Sequence, residues 1–333
     1  MSSRKKNSLI PLPFDFIAQW RSLPVYELIS YLLMFASVPI LAYGFQPYNI
    51  EIIKIIVLTV LTMYSGFFAA LIWNDITDSD IDTVVHPNRP IPSGKIHSKK
   101  FFGIALIFSA LTFIFAFLIS VWCLFLVMVA ALFVAFHNKY LKRRVKFPAY
   151  SEIFGSLQWT VVAIFGFFAI WTALPQNSEI FFTIPFLGPI STSSTAIQQM
   201  FFLIIFAYFA DNSHDVAEGI HDAYADLKYG VRTYATTFGM KKAARISLTM
   251  FVISGFFGVF LFLQSILSPI FLVLFLLLFV YTLSFPLKLL KFRKRKEVEE
   301  QGIFVGRKLY DYFLFSYNLI FIDLILQIIF FNS

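Results

Sequence analysis

Long apolar stretches alternate with short polar ones along the whole chain. Nine of the apolar stretches come close to the 20 or so residues that a helix needs to cross a bilayer: roughly 25–44, 51–73, 101–119, 121–137, 151–173, 194–212, 243–263, 267–287 and 309–331. The pattern predicts an all-α, polytopic membrane protein with nine transmembrane helices. The organisation expected is a cytoplasmic N-terminal segment over 1–24 and one nine-helix domain over 25–333. No repeat of fixed period and no separate soluble domain is evident.

Composition agrees, because 59% of the residues are hydrophobic and only 14% are charged. A soluble domain could not keep that much apolar surface out of water. The single cysteine, Cys123, lies inside an apolar run, which excludes a disulfide within the chain. The N-terminus has basic residues at Arg4, Lys5 and Lys6, then Pro11 and Pro13. It lacks a short apolar core with a small-residue cleavage site, so no signal peptide is expected.

A net charge of +8 raises nucleic acid as a partner, but the placement of the charge argues against it. Of the 27 Lys and Arg, all except Lys54 and Arg245, the latter just inside the start of span 7, fall before span 1 or in the connections after spans 2, 4, 6 and 8. The other connections, near 45–50, 120, 174–193 and 264–266, carry none. Basic residues mark cytoplasmic loops. The alternation therefore predicts a cytoplasmic N-terminus, polar motif loops on the same side and an outside C-terminus. Contact with anionic membrane lipid follows from the same charges. The connection 174–193 reads as an ordered outer loop, and 288–300 as a solvated one.

Chemistry concentrates at two of the cytoplasmic ends. At the end of span 2 stand Asn74, Asp75, Asp78, Asp80 and Asp82. On a helix Asn74, Asp78 and Asp82 share one face, flanked by Asp75. One carboxylate in the middle of a bilayer costs roughly 2.5–3.5 kcal/mol, so a cluster this dense must face cations, a water-filled cavity or both. At the end of span 6 stand Asp211, Asp215, Glu218, Asp222 and Asp226, which form a second acidic stripe on a helix. This placement suggests a weak pseudo-two-fold relation between halves of the chain. Two facing carboxylate walls suit a pair of hard divalent cations, and Mg²⁺ is commonly held by carboxylates together with substrate phosphate. Arg89, Lys142 and Arg232 flank the clusters and offer positive charge to a diphosphate. With an apolar interior behind it, the substrate these features predict is a polyprenyl diphosphate. His214 and His221, inside the second cluster, are read as locally satisfied polar residues, able to bond phosphate or a neighbouring Asp. No histidine or cysteine spacing predicts a zinc site. Asp323 and Gln327, four apart in span 9, are expected to bond another helix.

These residues carry a resemblance to the UbiA superfamily of intramembrane prenyltransferases. Residues 74–82 match its N-D-x-x-D-x-x-x-D motif, and Asn88-Arg89-Pro90-Ile91-Pro92-Ser93-Gly94 matches the R-P-[IL]-[PA]-S-G tail. Asp222-x-x-x-Asp226, then Gly230-Val231-Arg232-Thr233 and Phe238-Gly239, resembles the second motif, and Leu141-Lys142-Arg143 the L-K-R between spans 4 and 5. The chain departs from the pattern at Ala223-Tyr224-Ala225, at Phe136-His137 and at Glu218, where many members carry Lys.

The resemblance implies a central cavity open laterally to lipid and Mg²⁺-dependent transfer of a prenyl group to a hydrophobic acceptor. It implies Asn74, Asp78, Asp82, Asp222 and Asp226, assisted by Asp215, as metal ligands. Asp75, Asp78, Asp82, Asp222 and Asp226 are the expected catalytic carboxylates. Three acceptors are compatible: a glycerol-phosphate ether lipid, an aromatic quinone or chlorin precursor, and a carotenoid-like alkene. The R-P-I-P-S-G run most resembles the ether-lipid and chlorophyll branches, and the reading leans to a lipid acceptor. The rival from another class is a cation-coupled transporter, but transporters place such carboxylates at mid-membrane in broken helices, whereas these stand at span ends.

Overall fold

The computed structural model describes residues 23–85, 87–174, 179–291 and 295–331. The basic N-terminal residues and the segment expected over 1–24 therefore lie almost entirely outside the described residues. Nine helices among the described residues are long and apolar enough to cross a membrane, and each coincides with one predicted span. Helix α1 covers Val25–Tyr43 and α2 covers Ile50–Thr77. The short α3, Ser79–Val85, follows directly. Next come α4 (Ser98–Ile119) and α5 (Val121–Phe136); the latter runs through a π-helical turn, His137–Leu141, into a last turn at Lys142–Arg144. Then follow α6 (Tyr150–Gly155), α7 (Leu157–Ala173), α8 (Ser194–Tyr229), α9 (Tyr234–Phe238), α10 (Met240–Leu263), α11 (Pro269–Leu289) and α12 (Arg295–Phe331).

Local signals set the boundaries. The Asn49 side chain accepts from the backbone N–H of Glu51 and Ile52 at 3.0 and 3.1 Å, capping α2. Pro269 occupies the first turn of α11, where its missing N–H costs nothing. Gly230, at φ +76°, ends α8 in the left-handed conformation. Two connections differ from the sequence reading. The outer segment contains an antiparallel hairpin, β1 (Ile180–Ile184) with β2 (Gly188–Thr192), in register Ile180 opposite Thr192. The expected solvated loop after span 8 is helical from Arg295, because α12 extends about 20 Å beyond its apolar stretch.

The core is built from α1, α7, α8, α10 and α12. Helix α8 packs along both α10 and α12, α12 along α1, and α2 along α4. Gly302 and Gly306 bring α12 close to α8. A Cβ at Gly302 would stand 2.7 Å from the carbonyl of Ala217, and one at Gly306 would stand 3.3 Å from the carbonyl of His214. This is small-residue packing, which lets helix backbones approach inside a membrane. Buried Glu27 of α1 forms an ion pair with Arg307 of α12. Tyr26 donates to Asp311 at 3.2 Å and accepts from Arg307 at 2.9 Å, so the first and last helices are joined by polar contacts. Asp323 accepts from the Ser268 backbone N–H at 2.9 Å and from Gln327 at 2.8 Å. As expected, that polar pair serves contact between helices. Cys123 is buried and free.

Candidate active site

A cavity of about 1320 Å³ opens among α2, α5, α7 and α8. Its polar end is lined by Asn74 and Thr77 of α2, Lys142 after α5, and Asp211, Asp215, Glu218, Asp222 and Asp226 of α8. Its apolar wall includes Phe35, Met63, Phe67, Val127, Trp159 and Val162. From Asn74 down α2 to Met63 is eleven residues, about 16 Å of helical rise.

The first motif is laid out by an interrupted helix. Asp78 caps α2, yet the ladder continues, since Asp78 N–H bonds the Asn74 carbonyl and Asp82 N–H the Asp78 carbonyl, both at 2.9 Å. The predicted shared face of Asn74, Asp78 and Asp82 thus survives the break. Asp75, Asp78 and Asp82 are each at most 3% exposed. Arg89 stands 2.6 Å from Asp82 and 3.6 Å from Asp75, and Lys142 Nζ is 2.8 Å from Asp78. The π turn at His137–Leu141 accommodates one extra residue at the end of α5, and Lys142 follows it directly. Burial alone would depress the Lys142 pKa. Asp78, by charge and hydrogen bond, together with Asp226 and Asp82, outweighs burial and raises it. A raised lysine pKa gives stability that is complete below the ordinary lysine range and lost only as pH climbs through the raised value. The ammonium therefore stays charged throughout the neutral range.

The second motif lies wholly within α8, which continues seventeen residues past the predicted end of span 6 and keeps the acidic stripe helical. Tyr229, its last residue, donates to the Asp80 carbonyl at 3.4 Å, so the two motif ends touch. The Asp226 carbonyl accepts from Val231 N–H at 2.8 Å, closing the turn after the motif.

Of the predicted site residues, Asn74, Lys142, Asp215, Asp222 and Asp226 line the cavity, whereas Asp75, Asp78, Asp82, Arg89 and Arg232 do not. The Arg232 side chain is exposed and does not line the cavity; its backbone carbonyl accepts from Ser151 N–H at 3.0 Å. Asp215 groups with Asp211 and His214 rather than with Asp222. Seven residues of helix separate Asp215 from Asp222, about 10.5 Å of rise, too far for one ion.

The profile of the UbiA prenyltransferase family matches residues 32–306. The chain belongs to that family. Relatives agree with the assignment. The digeranylgeranylglyceryl phosphate synthase of Methanosphaera stadtmanae is 27% identical over 254 residues, covering 75% of this chain and 82% of that protein. The enzyme of the same name from Saccharolobus solfataricus is 27% identical over 180 residues, covering 54% of this chain and 55% of that protein. Among solved structures, the apo UbiA homologue of Aeropyrum pernix K1 superposes with a TM-score of 0.61 at 17% identity, over 87% of this chain and 98% of that one. A UbiA homologue of Archaeoglobus fulgidus bound to DMAPP and Mg²⁺ superposes with a TM-score of 0.52 at 14% identity, over 91% of this chain and 98% of that one. The protein is thus an integral, multi-pass membrane enzyme of the prenyltransferase class.

Within this UbiA fold, sequence reasoning missed Glu152 and left Asp211 without a role. Glu152 is buried, lines the cavity and accepts from the Tyr234 backbone N–H. Its carbonyl accepts from Asn212 Nδ2 at 2.9 Å. A Cβ at Gly219 would strike its Oε1, so only glycine leaves it room there. A lone Glu at the start of an apolar run carries no motif, and only the helix packing brings it to α8.

Proposed function

We propose that this enzyme moves a polyprenyl group from its diphosphate to a glycerol-phosphate lipid acceptor, and that Mg²⁺ is required. The observation that carries this reading is the cavity: carboxylates of α8 gather at one end, and aromatic and aliphatic walls continue away from it. The names of the relatives above support the choice of acceptor. An aromatic quinone or chlorin precursor is the alternative, and a panel of acceptors separates the two.

The donor set suits hard divalent ions. Among the described residues, six carboxylates line the cavity, from Glu152, Asp211, Asp215, Glu218, Asp222 and Asp226, against Lys139 and Lys142. Buried carboxylates that are ionised need cations, and otherwise take up protons. Asn74, Asp78 and Asp82 on one side, and Asp222 and Asp226 on the other, are the residues that would hold Mg²⁺. When bound, Mg²⁺ supplies Lewis-acid stabilisation of the negative charge that develops on the leaving diphosphate. Lys142, which lines the cavity, and Arg89, both now on first-motif carboxylates, would supply positive charge to phosphate oxygens. The apolar wall excludes water from the allylic carbon as it takes up positive charge, and aromatic faces stabilise that charge. The charge pattern supports a cytoplasmic N-terminus and cytoplasmic motif ends, with the C-terminus outside.

Two tests arise directly. Lys142→Met removes the cation that balances Asp78. In EDTA the variant is expected to melt below the wild type, and Mg²⁺ should raise its Tm by more than it raises that of the wild type. Equal Mg²⁺ shifts in the two proteins would contradict the reading. Met63→Trp fills the apolar end of the cavity. It is expected to keep turnover with geranyl diphosphate and to lower kcat/KM for geranylgeranyl diphosphate about tenfold or more, since overfilling a packed apolar site costs roughly 1–3 kcal/mol. An unchanged preference between the two donors would place the chain elsewhere.

A further inference from the structure

Deeper in the cavity than the second motif lies a cluster that prenyl transfer leaves unused. Asp211, His214 and Asp215 stand on one face of α8 at spacings of three and four. One ligand-type atom from each lies within 4.8 Å of the other two. Asp211 and Asp215 line the cavity. Asp211 is 1% exposed, and its Oδ1 accepts no hydrogen bond. An acceptor buried in this way costs roughly 1–3 kcal/mol unless something binds it. Glu152 Oε1, on the same cavity wall, is likewise buried without a hydrogen bond.

The surroundings hold these groups in place. Ser156 donates to Asp215 Oδ2 at 3.3 Å. His214 Nε2 is 3.4 Å from Asp215 Oδ1, while its Nδ1 is 3.7 Å from Glu218 Oε1 on the other side of the ring. The Tyr310 ring packs on the imidazole, with centroids 4.6 Å apart. Behind the ring, Gly306 lets α12 lie against the His214 backbone. The imidazole is therefore held by packing, with Nε2 toward Asp215 and Nδ1, which makes no hydrogen bond, facing Glu218 at ion-pair distance. A histidine that ligates through one nitrogen and is oriented by a carboxylate at the other is the usual arrangement around a bound metal.

We propose that Asp211, His214 and Asp215 form a separate site for a divalent transition-metal ion, with Glu218 orienting the imidazole. The ligand chemistry separates it from the diphosphate site. Mg²⁺ takes oxygen ligands and keeps several waters. An imidazole with two carboxylates favours Mn²⁺, Fe²⁺, Co²⁺ or Zn²⁺. Asp211 lies eleven residues from Asp222, about 16 Å along the helix, so the two sites cannot share an ion. Three protein ligands leave coordination positions open toward the cavity. The inference stands whether or not the prenyl donor binds as proposed.

The test uses the full chain, purified in detergent, stripped with EDTA and saturated with Mg²⁺. Co²⁺ is then titrated and followed by its visible absorption. One Co²⁺ per chain is expected to bind despite the Mg²⁺. His214→Ala and Asp211→Asn are expected to weaken that binding by about tenfold or more. Asp78→Ala is expected to keep the Co²⁺ spectrum while losing Mg²⁺-dependent binding of the prenyl donor, so failure of one site is distinguishable from failure of the other. No Co²⁺ uptake in saturating Mg²⁺, or an unchanged spectrum in His214→Ala, overturns the proposal. If circular dichroism reveals that His214→Ala has lost its helices, Glu218→Gln decides. Its ligand set is intact, so Co²⁺ affinity roughly tenfold weaker supports the site, and unchanged affinity overturns it.

Discussion

Asp78→Ala is expected to lower the rate of prenyl transfer by at least about a thousandfold, the scale of losing charge stabilisation of a leaving group. The same loss is expected for Asp222→Ala. Both carboxylates stand near the C-terminal ends of their helices, outside the apolar stretches that cross the membrane. Asp78 contacts Lys142 at 2.8 Å, and without it Lys142 still has Asp82 and Asp226 nearby. Asp222 lines the cavity, so its removal opens space rather than a buried seam. The variants should therefore insert, purify and elute like the wild type while failing to turn over. The assay is prenyl transfer in Mg²⁺ with size-exclusion chromatography alongside. Wild-type-like turnover in either variant would remove the carboxylates from the mechanism.

Gly306→Leu is expected to have the largest effect on folding. A side chain there meets Glu218 and the His214 carbonyl, at the seam where α12 packs on α8. Overpacking costs about 1–3 kcal/mol even where side chains can give way, and here part of the obstacle is helix backbone. One residue further along, Arg307 pairs with Glu27 and ties α12 to α1, so a displaced α12 would strain that second contact as well. The expected readout is a Tm well below the wild type, with Gly306→Ala falling between them. A Gly306→Leu protein as stable as the wild type would mean that close approach of these helices contributes nothing.

Much of this molecule is legible in its sequence, for identifiable reasons. A span is a long apolar run, and its signal is local, so all nine predicted spans correspond to helices among the described residues. The first motif's shared face follows from helical periodicity and persists through the break at Asp78. What escaped reading depends on partners distant in sequence. Gly302 and Gly306 look like loop residues beside the basic segment until α8 is placed against them. Glu152 has no motif, and only the fold sets it against Tyr234 and Gly219. Arg232 stands in a motif-like run yet points outward, since the turn after Gly230 commits its backbone to Ser151. Helix α8 ran past its predicted end because polar residues lowered the hydropathy without breaking the helix. The grouping of Asp215 with Asp211 and His214 is hidden for a related reason: one helical face can carry more than one site, and spacing alone does not say where one stops.

The most direct measurement incubates the purified protein with labelled geranylgeranyl diphosphate, geranylgeranylglyceryl phosphate and Mg²⁺, and follows both diphosphate release and the lipid product. The expected result is stoichiometric formation of both products, abolished by EDTA and restored by Mg²⁺. Turnover that is indifferent to EDTA, or no transfer to any lipid, quinone or chlorin acceptor in the presence of Mg²⁺, would contradict the account.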